Sequence, residues 1–109
     1  MIYINGAAWR VEYVKNGNEA LRRSDGTQTI GSTDFNTRTI YLSESLTGGL
    51  LDRVITHELC HAELFERGIK DFSLRQEEVL CEFVSLFGRE IFQLADMIIE
   101  MRFASELKA

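Results

Sequence analysis

The chain has 109 residues, 45% of them hydrophobic and 27% charged, enough for one globular domain and too short for two independent cores. Its 12 Lys+Arg against 17 Asp+Glu give a formal net charge of −5, which argues against non-specific binding to nucleic acid or to an anionic membrane surface. No apolar run approaches the roughly 20 residues needed to cross a bilayer, and the first residues lack a basic start and a long apolar stretch. A cytoplasmic protein is therefore expected.

The first half reads as β. Met1–Asn5 and Ala8–Lys15 are short runs of alternating apolar character, and Asn5-Gly6 between them is a strong hairpin signal. Lys15 to Thr27 is polar and rich in turn residues, with one helical turn expected around Glu19–Arg22. Gln28–Gly31 reads as a short strand. Ser32–Asn36 then leads into Thr37–Leu42, whose β-branched and aromatic residues favour a strand.

The second half reads as helix. An apolar-periodic run over about 48–67 ends at Gly68, a good residue for the left-handed position after a helix. Ser73 with Gln76 three residues on makes a capping box for a second helix over about 73–106, which Gly88 is expected to bend or break. The fold class is α+β: a small antiparallel sheet, made of the N-terminal hairpin and the strand near 37–42, packed on two long helices in a single domain. Cys60 and Cys81 lie in apolar helical segments and read as reduced, buried thiols.

The chemistry is concentrated in His57-Glu58-Leu59-Cys60-His61, an H-E-x-x-H pattern holding both histidines of the chain. Residues four apart on a helix differ by about 40° around the axis and about 6 Å along it, so the two imidazoles can converge on one small cation. Zinc suits such ligands. Glu58 stands where a carboxylate reaches water at the metal without itself binding it, the position of a general base. Two histidines and a glutamate in so apolar a helix would be costly to bury without partners, and a metal with its water supplies them.

A third protein ligand is required, and no third histidine exists. The start of the second helix offers Glu77, Glu78 and Glu82, brought near by the short loop of an antiparallel helical pair. Glu78 is the first choice. Glu82, one turn on, is expected to hold a ligand histidine by its other ring nitrogen. Glu77 is expected on a solvated helix face; with Glu82 and Asp71 it is an alternate for the ligand itself. A thiolate ligand from Cys60 or Cys81 would point to structural zinc instead.

The residues Gly31–Asn36, the Thr39-Ile40-Tyr41-Leu42 strand and Ile55–Ala62 together resemble the small gluzincin-type metallopeptidases of phages and integrated elements, related to the ImmA/IrrE metallo-endopeptidases. The resemblance covers roughly residues 28–95. It implies a minimal zincin-like fold, zinc on His57, His61 and a glutamate matching Glu78, Glu58 as base, and a peptide substrate, with relatives that cut regulatory proteins. The chain departs from larger members in having no proline in Phe83–Phe92 and no helix-turn-helix segment.

The expected function is zinc-dependent hydrolysis of peptide bonds in a protein substrate, a phage or mobile-element regulator among the candidates. The alternative is a non-catalytic, zinc-stabilised protein-binding module. Tyr41, Tyr13, Arg38 and Arg75 are the candidate donors to the developing oxyanion. Thr37–Leu42 is the expected sheet edge for an extended substrate. The apolar run from Ile91 to Met101 forms a helical stripe, read as core or as a homodimer contact through the C-terminal helix.

Overall fold

Asn5 and Gly6 both take positive φ (48° and 84°), and this two-residue turn folds strand β1 (Ile2–Ile4) back on β2 (Ala7–Val14). The computed structural model describes residues 1–108. After β2 come a short 3-10 turn (Glu19–Leu21), capped by the Asn18 side chain, and a hairpin of β3 (Gly31–Asp34) with β4 (Thr39–Ser43). Two helices follow, α1 (Gly48–Glu66) and α2 (Leu74–Lys108).

The architecture is α+β, a four-stranded sheet with two long helices, but the sheet is mixed rather than antiparallel. Its order is β1-β2-β4-β3, and β2 pairs with β4 in parallel, Val11 opposite Ile40 and Tyr13 opposite Leu42. The long polar loop and β3 carry the chain back before β4 is laid down, so β4 runs in the same direction as β2. The expected strand at Gln28–Gly31 instead spans Gly31–Asp34, within what read as a lead-in segment. β4 lies inside the sheet, not at its edge, which is why its residues are buried on both faces. The free edge next to the helices belongs to β3.

Trp9, Ile40 and Leu42 from the sheet, with Ile4 and Leu46, form the core under α1, where the small Ala62 admits the sheet closely. Trp9 donates its indole N–H to Glu66 Oε1 at 2.8 Å, and Arg38 pairs with the same carboxylate, fixing the end of α1 to the sheet. Gly68, at φ 65°, ends that helix as its sequence predicts. The Ser73 capping box forms in both directions: Gln76 N–H donates to Ser73 Oγ at 3.2 Å and Ser73 N–H to Gln76 Oε1 at 2.9 Å. Gly88 does not break α2, which continues as one helix of 35 residues. Among the described residues no helix is long and apolar enough to cross a membrane.

Candidate metal centre

The antiparallel pairing of α1 with α2 sets the site. Going up α1 from His57 to His61 corresponds to going down α2 from Glu82 to Glu77. His57 Nε2 and His61 Nε2 lie 3.2 Å apart, and Glu78 reaches both, 3.2 Å from the first and 2.8 Å from the second. These are the three residues whose donor atoms converge. Ligand atoms about 2.0–2.1 Å from a tetrahedral ion are separated from one another by roughly 3.3 Å, so the observed spacings suit zinc.

The outer nitrogens are held as well. His57 Nδ1 is 3.1 Å from Glu82 Oε2, and His61 Nδ1 is 3.2 Å from Glu77 Oε2. A carboxylate at Nδ1 accepts the N–H of a neutral imidazole and leaves Nε2 as a lone pair. In that tautomer both Nε2 lone pairs face the Glu78 carboxylate. The donor set of two imidazoles and one carboxylate fits zinc with a position left for water.

Glu82 is where the sequence reading places it, on a histidine. Glu77 is not on a solvated face: its side chain is 24% exposed and lies on His61. Glu78 is half exposed, at the mouth of the site. Asp71 is exposed in the loop between the helices and takes no part. Neither cysteine belongs to the cluster. Interaction between the two thiols, with His61 nearby, lowers Cys60 to about 7, while the same interaction and burial push Cys81 upward.

Glu58 is buried beside the free strand edge. Thr33 Oγ1 on β3 lies 2.8 Å from Glu58 Oε1 and 3.2 Å from the Glu58 carbonyl, so one side-chain oxygen is anchored and Oε2 takes no hydrogen bond from the described residues. The strand can come this close because residue 31 is glycine. A Cβ there would meet Val54 Cγ1 at 2.5 Å and Glu58 Cγ at 3.3 Å.

A cleft of about 340 Å³ opens over these groups, lined by His57, Glu58, Glu78 and Glu82 together with Gly31, Arg23 and Arg53. None of the four expected oxyanion donors lines it. Arg38 sits at φ 49° in the β3–β4 turn, paired with Glu66 and stacked over Phe65, at the far end of α1. Arg75 lies in a separate groove on α2, and Tyr13 and Tyr41 belong to interior strands of the sheet. The cations at the cleft are Arg53, which pairs with Glu82, and Arg23, whose side chain makes no ion pair with a described residue. Arg53 was findable in the sequence, one helical turn before His57. Arg23 and Thr33 carry no local signal and reach the site through the tertiary fold.

Comparison of the chain with family models, with curated proteins and with solved structures finds no match.

Proposed function

We propose that the chain is a zinc-dependent metallopeptidase of the H-E-x-x-H type, with zinc on His57, His61 and Glu78 and with Glu58 as general base. The observation that carries this reading is the convergence of His57 Nε2, His61 Nε2 and the Glu78 carboxylate, with the two outer nitrogens lying on Glu82 and Glu77. Zinc held there would supply Lewis acidity toward a water molecule and a peptide carbonyl.

The chain's own residues account for the rest. Glu58 Oε2 takes a proton as water adds to the carbonyl carbon, then returns it to the departing amine as the C–N bond breaks. Thr33 holds the other carboxylate oxygen and so keeps the base turned toward the cleft. An extended substrate adds to the free edge of β3 by main-chain hydrogen bonds, beside the wall formed by Gly31. Arg23 and Arg53 are the groups available to steady negative charge on the carbonyl oxygen. The resemblance to the ImmA/IrrE endopeptidases belongs to this proposal, as do a regulatory protein as substrate and a cytoplasmic setting, where two free thiols stay reduced.

The test is Glu58→Gln beside wild type, with metal content and hydrolysis of an unstructured protein measured together. The expected result is the same zinc content in both and a loss of at least about 100-fold in hydrolysis in the variant. Zinc in both proteins with hydrolysis in neither would favour the zinc-stabilised binding module; equal hydrolysis in both would remove Glu58 from the mechanism.

A further inference from the structure

Beyond the metal centre, the least explained feature of the molecule is α2. At about 1.5 Å per residue its 35 residues span about 52 Å, and it gives the molecule a long axis of 61 Å against 31 and 27 Å across. α1 covers it only as far as Arg89, which pairs with Asp52 in the second turn of α1. The face turned to α1 is marked by the buried Cys81 and Gly88.

On roughly the opposite side, apolar side chains line both halves of the helix, with the exposed Glu90 between the two stretches. Val79, Phe83, Phe87, Leu94, Ile98 and Met101 follow one another at steps of three, four and seven residues. They are exposed, Val79 by 64% and Ile98 and Met101 by 67% each. The stripe has different relief at its two ends. Near the start of α2, Phe72, Val79, Leu80 and Phe83 line an apolar groove of about 460 Å³. Toward the end, Leu94, Ile98 and Met101 stand out as a ridge on a helix with no neighbouring element.

We propose that this face is the interface of a two-fold homodimer, in which two α2 helices lie antiparallel and the ridge of each fills the groove of the other. A two-fold axis near Phe87 to Ile91 brings the second half of one helix onto the first half of its mate, so groove and ridge are matched twice by one operation. The size is right for a second copy. The exposed side chains of the stripe present roughly 700 Å² per chain, and Phe72 and Met97 beside it bring this face to about 900 Å², above the patch usual on a monomer and close to what a standard interface takes from each partner. Glu78 and Glu82 stand on another side of the helix, so the cleft stays open in the pair. The inference does not depend on zinc or on catalysis.

Sedimentation equilibrium over a range of concentrations tests it, with wild type, Ile98→Glu, and cysteine variants Val79→Cys, Met101→Cys and the double variant. The wild type is expected at twice 12.5 kDa, and Ile98→Glu at the monomer mass with unchanged helical circular dichroism and unchanged zinc uptake. Mild oxidation is expected to cross-link chains of the double variant and neither single variant, because residue 79 of one chain meets residue 101 of the other. A wild type that stays monomeric, an Ile98→Glu variant that stays dimeric, or single variants that cross-link as readily as the double one would each overturn the proposal.

Discussion

The three glutamates at the start of α2 stand in two kinds of position, and substitution separates them. Glu78 faces both Nε2 atoms, whereas Glu77 and Glu82 lie on the outer nitrogens and would act on a metal only through the imidazoles they hold. Glu77→Gln and Glu82→Gln are each expected to weaken zinc binding by about 10- to 100-fold, and Glu78→Gln by more, as measured by competition with a chromophoric chelator. Equal losses in all three would mean that the ligand assignment is wrong. Thr33→Val is expected to leave zinc affinity alone and lower the rate of hydrolysis, since it releases only the base. The histidine pair was legible because four residues on a helix is a fixed geometry. Glu77 was not, because adjacent helix positions point about 100° apart, which argues against their serving one site. They do so here because two imidazoles present four nitrogens over a full turn of α1.

At the scale of elements, the close seam between β3 and α1 shapes the Glu58 side of the cleft. Gly31→Ala would set a methyl carbon 2.5 Å from Val54 Cγ1, so the strand must retreat and carry Thr33 away from Glu58. Reduced hydrolysis with zinc retained is the expected outcome, read by activity and metal content together. Gly88 is the contrasting case. It has ordinary helical φ, and an added Cβ there meets Val84 Cγ1 at 3.4 Å, an ordinary contact. Gly88→Ala is therefore expected to stabilise the protein by about 0.5–1 kcal/mol, visible as a shift of the urea midpoint at constant slope. The helices were legible from periodicity and caps. β3 was not, because Gly-Ser-Thr-Asp has neither apolar alternation nor strong strand propensity, and its pairing is imposed by β4 and α1. The parallel β2–β4 pairing is equally a tertiary outcome: nothing local in Arg10–Val14 or Thr39–Ser43 states which strand lies alongside or in which direction.

For the molecule as a whole, the candidate metal centre also joins the two helices. Two imidazoles on α1 and three carboxylates on α2 meet at one point in the first turns of α2, beside the Arg53–Glu82 ion pair and the buried Cys81, while the Asp52–Arg89 ion pair lies at the other end of α1 and is solvent-exposed. With zinc bound to the folded chain alone, free ion at a thousand times its dissociation constant adds about 4 kcal/mol to folding stability. In a domain of this size that corresponds to a melting temperature higher by about 15 °C or more. Calorimetry with zinc and with excess chelator should show this difference, and it should shrink as the pH falls, because imidazole must be unprotonated to bind the ion. The double variant His57→Ala, His61→Ala should melt at one temperature under both conditions. A wild type equally indifferent to zinc and chelator would mean that the convergence of these five side chains is not a metal centre, and the peptidase proposal would fall with it.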